Sequence, residues 1–249
     1  MPAREITRSG HEARSAKTRS QLIEATIEVI GAVGYEGAST RALAHAAKTT
    51  LSAIPYHFGG KRELYLAAAQ MIAEYTAGRF EEAVGLLEAD DPAEKAIRFE
   101  EALTNLLHIM LEDAEPHSWT SFVARCAYDN DEAFTLIYER AIAPLLERLV
   151  RSASDFSRRD PTDAALRLRI SAIVTAIVSF RFLRGIMLHG MAWAEIQHGC
   201  IGQIEGMVRD LCRSDFLAVQ LPQQRSGRNS SLPGDLPRTP TSTREGNTQ

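Results

Sequence analysis

From about Arg14 to residue 218 the apolar residues recur every three to four positions, the rhythm of about 3.6 that lays one face of a helix against a core. Nowhere do they alternate with period two over a useful length. A chain without that alternation has no half-buried strands to pair. What remains is an all-α fold, and the punctuation of the sequence says where its helices begin and end.

The first helix, about Arg14 to Val33, carries Leu22, Ile23, Thr26, Ile27 and Ile30 along one side and stops at Gly34. Ser39 or Thr40 then caps a short helix over 40–47, and Thr50 caps a third over 51–57. Gly59-Gly60 separates that from a fourth over 61–85. Downstream, Asp91-Pro92-Ala93-Glu94 sets an acid at the cap, proline at the first helical position and a second acid three residues on. Asp160-Pro161-Thr162-Asp163 repeats that arrangement, and Asp129 with Glu132 opens a helix over 130–154 that Pro144 kinks or divides. With helices over 92–113, 117–127, 161–189 and 194–217 the total is about nine, and no internal repeat is visible.

Charge is distributed unevenly. The chain of 249 residues has a net charge of −4, yet residues 1–62 hold nine Lys or Arg against five Asp or Glu, and residues 81–160 hold eight against eighteen. A basic head on an acidic body suits a head that meets phosphate and a body that does not. Cys126, Cys200 and Cys212 are odd in number and widely spaced, so neither a disulfide framework nor a zinc site is suggested. The first twenty residues have no apolar run of the signal-peptide kind, and the apolar segment from Ile170 to Leu188 is interrupted by Arg181 and Arg184. The expected setting is cytoplasmic, with no membrane partner. From Pro222 onward Pro, Gly, Ser and Thr dominate, too little apolar material to offset the entropy of ordering, so 219–249 reads as a disordered tail.

The stretch TTLSAIPYHFGGKRELY, Thr49 to Tyr65, is the most informative. Ile54 and Phe58, four apart, share a buried face with Leu43, Ala44 and Ala47, which turns Ser52, Ala53, Pro55 and Tyr56 outward. A helix with short outward residues fits the major groove: Ser52 can bond a base edge, and Ala53 and Pro55 can meet a thymine methyl. His57, and Lys61 at a helix start rich in free N–H groups, suit phosphate, as does Arg41 from the other side. On patterning alone, a helix-turn-helix and an ordinary helix–helix corner both stay open.

The run Leu22 to Leu66 (LIEATIEVIGAVGYEGASTRALAHAA followed by LSAIPYHFGGKRELY) resembles the DNA-binding domain of the TetR/AcrR family of bacterial one-component regulators. The resemblance implies a three-helix helix-turn-helix domain over 14–66 behind a flexible arm over 1–13. It also implies a larger helical domain over 67–218 for effector binding and dimerisation. Base and phosphate contacts are implied for Thr50, Leu51, Ser52, Ala53, Pro55 and Tyr56, and phosphate contacts for His57 and Lys61. Lys48 stands where many members have glycine, Thr49 where an apolar residue is usual, and Pro55 where an aromatic commonly precedes YHF. These departures imply an operator of its own, and Lys48 is either a further phosphate contact or a solvated turn residue.

Helix 161–189 (Ile170, Ile173, Val174, Ile177, Phe180) has so little polar surface that it must be covered nearly all round. With Ile201, Ile204, Met207, Val208 and Leu211 of the last helix it can build a two-fold four-helix bundle. A homodimer of this kind would read a palindromic duplex operator. His108, Met110, Trp119, Phe122, Phe180, Arg181, His189 and Trp193 are candidates to line an effector pocket for an unidentified small molecule. HExxH, GxSxG, DxDxDG and glycine-rich nucleotide loops are missing, so no enzyme and no cofactor are expected. A helical docking protein without DNA binding is the alternative, and repression is the mode the resemblance implies.

Overall fold

The structure, a computed structural model, describes residues 3–87, 91–112 and 115–216. Among them every regular element is helical. The expected disordered tail over 219–249 lies outside the described residues. Helix α1 (Ala3–Gly37) begins well before Arg14, and Gly34 breaks it with φ 79° and ψ 168°, a conformation glycine reaches without a Cβ penalty. One further turn carries the chain to α2 (Thr40–Ala46), where the Ser39 hydroxyl accepts from the Ala42 N–H at 3.1 Å.

Helix α3 (Ala53–Phe58) starts later than the sequence suggests. Thr50 does not cap it through its hydroxyl, which pairs with Ser52 Oγ at 3.1 Å; the Thr50 carbonyl instead accepts from the Ala53 N–H at 3.0 Å. The late start places Pro55 in the first turn, where amide donors have no intrahelical partner, so the proline removes no helical bond. Helix α4 (Lys61–Val84) follows across Gly59, whose φ is 91°.

Asp91 caps α5 (Pro92–Leu111) as expected, accepting from the N–H groups of Ala93 and Glu94 at 3.0 and 3.1 Å. After α6 (His117–Asp129), closed by Asn130 at φ 49°, the cap of α7 (Glu132–Ile137) is Asp131 and not Asp129. Tyr138–Ile142 then widen into a π-helical turn, with the Ala143 N–H reaching back to the Tyr138 carbonyl. That widening accommodates Pro144, which opens α8 (Ala143–Ser157) and has no N–H to continue the α-helical ladder.

The Asp160-Pro161 start signal misleads. Asp160 accepts from the Thr162 N–H at 2.7 Å and from its hydroxyl at 2.6 Å, closing a local turn, and Asp163 caps α9 (Ala164–Phe182) through the Ala165 N–H at 2.8 Å. The expected single helix over 161–189 is therefore two, because α10 (Arg184–Gly190) leaves α9 at 83°. Helix α11 (His198–Phe216) completes the described chain. Among the described residues no single helix is long and apolar enough to cross a membrane.

Two apolar cores organise these helices. One holds Leu22, Ile27 and Ile30 of α1, Leu43 of α2, Ile54 of α3 and Leu64, Ala68 and Ile72 of α4, together with Phe122 of α6 and Ile137 of α7. Thr26 is fully buried in it, its hydroxyl donating to the Leu22 carbonyl at 2.7 Å. The other joins Phe80 and Val84 of α4 to Leu103 and Leu107 of α5, Leu149 of α8, Ile170 and Val174 of α9 and Ile204 and Val208 of α11. Helix α4 thus runs through both.

Candidate functional site

The turn between α2 and α3 is built on a left-handed residue. Lys48 has φ 53°; its N–H donates to the His45 carbonyl at 3.0 Å, and the Thr49 N–H donates to the Ala44 carbonyl at 2.9 Å. These two bonds make a Schellman closure with lysine at the position where glycine is favoured. A side chain at that φ costs roughly 1–2 kcal/mol, so its retention here keeps a charge on an exposed corner beside α3.

The buried groups of α2 and α3 decide what faces out. Leu43 is fully buried and Ile54 nearly so, while Leu51, Ser52, Pro55 and Tyr56 are exposed, Tyr56 to 73%. Thr50 and Arg41 are exposed as well. Thr40, Leu51, Ser52, Pro55, Gly60 and Lys61 border one shallow depression on this side. Ala53 corrects the sequence reading: it is 9% exposed and packs in the core with Ile54, because a helix starting at Ala53 turns its first residue inward. Phe58 is only partly buried, its ring lying 4.3 Å beneath the Arg19 guanidinium.

Lys61 and His57 are more engaged than free phosphate contacts would be. The Lys61 ammonium donates to the Tyr35 carbonyl at 2.6 Å and lies 4.1 Å from the Tyr35 ring centroid. That spends one of its three donors and ties the start of α4 to the end of α1. The His57 ring stands edge-on to Tyr56 at 4.8 Å, and its carbonyl accepts from Arg19 at 2.5 Å. Sequence gave no sign of Arg19 in this role, since its partner lies 38 residues away.

The head is clamped to the helices beyond it. Arg125 of α6 donates to the carbonyls of Gly31 and Ala32 at 2.8 and 2.6 Å, closing the end of α1. Helices α1 and α6 approach closely enough that a Cβ at Gly31 would sit 2.8 Å from the Ser118 carbonyl oxygen. Arg62 pairs with Glu132, and the Tyr65 hydroxyl donates to Asp131 at 2.6 Å with Cys126 Sγ 3.0 Å away. Burial, followed by the bond to Asp131, pushes the Tyr65 phenol well above its ordinary range. Burial likewise pushes the Cys126 thiol up to about 12.

A cavity of about 120 Å³ lies beyond this clamp, between α4, α5, α6, the end of α7 with the π-helical turn after it, α8 and α9. Its walls are nearly all apolar, with Ile72, Phe80, Val123, Ile137, Ile142 and Val174 prominent. Of the eight candidates named from sequence, Met110, Trp119 and Arg181 line it. Phe122 does not, being fully buried in the head-side core. Phe180 and Trp193 pack against the other core, His108 meets Glu205 at 2.5 Å on an open surface, and His189 is exposed. Helical spacing within one segment does not tell which of two cores an apolar residue enters, which is why Phe122, Phe180 and Trp193 lie away from this cavity, and it does not tell that His108 and His189 face outward.

Of the polar wall of the cavity, the sequence reading names Arg181 but not Tyr75, Arg79, Glu115 or Thr120. The Arg181 guanidinium donates through Nε to the Thr120 hydroxyl at 3.1 Å and through Nη1 to the Glu112 carbonyl at 3.2 Å, and its Nη2 faces Glu115 at 2.5 Å. This ion pair is nearly buried, at 15% and 11% exposure. Burial, then a hydrogen bond to Glu115, pushes the Tyr75 phenol upward, and its ring meets Trp119 edge-on at 5.2 Å. Arg79 pairs with Glu112 at 2.5 Å, while its buried Nε has no partner among the described residues. Among the described residues no group of three or more His, Cys, Asp or Glu is placed to hold a metal ion.

The profile of bacterial regulatory proteins of the tetR family matches residues 22–68, and that of the C-terminal domain of the HTH-type transcriptional dual regulator CecR matches 96–218. The chain is similar to the HTH-type transcriptional dual regulator CecR of Shigella flexneri, with 30% identity over 217 residues, covering 85% of this chain and 96% of the relative. In fold it is similar to a transcriptional-regulator candidate from Pseudomonas aeruginosa PAO1, with TM-score 0.57 and 18% identity over 79% of this chain and 90% of the other. It is also similar to one from Saccharomonospora viridis solved in complex with choline, with TM-score 0.55 and 15% identity over 80% of this chain and 97% of the other.

Proposed function

Since this chain belongs to the TetR family of bacterial helix-turn-helix transcriptional regulators, we propose that it is a cytoplasmic repressor that binds a palindromic operator as a homodimer and is released by a small-molecule effector. The observation that carries this reading is the outward face of α3 and of the turn that leads into it. Leu51, Ser52, Pro55 and Tyr56 are held clear of the head's core by the burial of Ala53 and Ile54, a presentation suited to a major groove. Arg41, Lys48, Thr50, His57 and Lys61 surround that face and supply donors for phosphate. In this reading residues 14–66 read DNA, behind an arm over 1–13, and 67–218 bind effector and dimerise.

The dimer is supported by apolar side chains left exposed on the last helices, Leu168 of α9 at 71% and Met207 of α11 at 43% among them. The cavity beside the α1–α6 clamp supports effector release, because a ligand that moves α6 moves the carbonyls that Arg125 holds. The relative's description as a dual regulator favours a second reading, in which occupancy of some sites activates transcription. Selection of duplexes from a random pool tests the first. It should return an inverted repeat with half-sites about one helical turn apart, roughly 10 base pairs, or a multiple of it. Enrichment of unpaired half-sites, or sedimentation of a 27.5 kDa species alone at micromolar concentration, would overturn it.

A further inference from the structure

The π-helical turn at Tyr138–Ile142 joins two helices that serve different parts of the molecule. Upstream, α7 and its cap grip the head. Ala133 and Ile137 are buried in the head-side core, the Tyr65 hydroxyl donates to Asp131 at 2.6 Å, and Glu132 pairs with Arg62. Arg62 and Tyr65 lie near the start of α4, which only Gly59 and Gly60 separate from the end of α3. Downstream, Leu145, Leu149 and Ala153 of α8 are buried in the other core. We infer that Pro144 is a positioning residue for DNA binding: by keeping the turn π-helical, it sets the register at which α7 holds the head. This rests on the reading that α3 meets DNA.

The reason is rotational. Each residue of an α-helix turns the chain by about 100°, so a π-turn, which takes up one extra residue, removes about that much twist between its flanks. Ile137 and Ile142 are five apart and would stand about 140° from each other on an unbroken α-helix, yet both line the same cavity. If the turn closed as α-helix while α8 kept its seat, the face of α7 that carries Ala133 and Ile137 would swing by about 100°. Asp131 would then leave Tyr65. Pro144 opposes that closure, because in the α register its ring would meet the Arg140 carbonyl and its missing N–H would leave that carbonyl unpaired. Of the two bonds at stake, the Arg62–Glu132 pair is 58% and 42% exposed and counts for little. The bond from Tyr65, beside the buried Cys126 thiol, counts for more.

Pro144→Ala lets the α register compete. Alkylation of Cys126 by iodoacetamide, resolved from the other thiols by mass spectrometry, follows the junction with no DNA present. Cys126 is 1% exposed in the native packing. In Pro144→Ala it should react roughly tenfold faster, and a duplex carrying the inverted repeat recovered by selection should bind roughly tenfold more weakly, each the worth of about one hydrogen bond to a carboxylate. Helical circular dichroism should be retained. Deleting Glu139 from the Pro144→Ala chain removes the extra residue, so a continuous α-helix then presents both inner faces in their original register. Both losses should be reversed, whereas a proline that merely stiffened the segment would not be replaced by shortening it. Unchanged alkylation in Pro144→Ala overturns the inference, and so does a loss that the deletion leaves in place. If the shortened chain loses its helical signal, deletion of Arg140 in place of Glu139 makes the same comparison, and failure of both to fold also overturns it. Wild-type protein that binds no duplex would sink the DNA reading alone, while the alkylation rates still decide the register of α7.

Discussion

Replacing Lys48 by glycine should strengthen the fold and weaken the function, and the two effects have separate origins. At φ 53° the lysine Cβ is strained, at a cost of roughly 1–2 kcal/mol. Glycine removes that strain but loses roughly 0.5–1 kcal/mol of backbone entropy on folding. The net gain is therefore roughly 0.5–1 kcal/mol, which for a chain of this size raises Tm by about 1–4 °C. The Schellman bonds to His45 and Ala44 are backbone bonds and survive the change. Lysine also brings a charge to the exposed corner beside α3, so its loss should lower the slope of log affinity against log salt by roughly 2 for a symmetric dimer. Lys48→Ala separates the terms, since it removes the charge and keeps the Cβ: the same loss of salt slope, with no gain in Tm. Thermal unfolding followed by circular dichroism, with operator titrations at four salt concentrations, reads both. A lowered Tm for Lys48→Gly refutes the strain argument, and an unchanged slope removes Lys48 from the phosphate contacts.

Lys61→Ala should cost stability as well as affinity, about 1–2 kcal/mol for the lost bond and ring contact at Tyr35, and should weaken operator and scrambled duplexes by similar factors; a change in base preference instead would contradict its place beside the backbone. Ser52→Ala should shift base preference by roughly 1–3 kcal/mol per half-site with the salt slope nearly fixed, and equal losses on every sequence would remove it from the base edges. Gly31→Ala should destabilise by roughly 1–3 kcal/mol through overpacking at the α1–α6 seam, where the Ser118 oxygen lies 2.8 Å from the new Cβ, and an unchanged Tm would show that the seam is loose. Stability should hold below about pH 9 and fall as pH rises toward 12, because the unfolded Cys126 thiol ionises near its ordinary 9.0 while the folded one resists to about 12; the raised Tyr65 phenol acts in the same sense. Urea midpoints from pH 8 to 11 that stay flat, or that flatten only in the wild type and not in Cys126→Ala, would contradict this.

Helix existence was legible because it rests on periodicity and local caps, as at Asp91 and Ser39. Local signals failed where two of them competed. Asp160 had a proline after it and so looked like the cap, but Thr162 satisfied it, and Asp163 took the role. The outward face of α3 was legible except at Ala53, whose direction depends on where the helix starts. Lys61 was placed at a helix start correctly, but its bond to Tyr35 joins residues 26 apart and leaves no mark on either neighbourhood. The cavity was the least legible part. Its polar wall brings together Arg79, Glu115 and Arg181 from three separated segments, and no spacing within a helix encodes that meeting.

Because α4 passes through both cores, the DNA-reading end is not a detachable cassette. A graft of residues 14–66 onto another regulator would cut between Leu64, Ala68 and Ile72, which fill one core together, and would strip Tyr65 and Arg62 of the partners that α7 supplies. Exchange of binding specificity between relatives should therefore succeed by replacing the few outward residues of α3, or by moving the head together with the first half of α4, α6 and α7 as one inherited block.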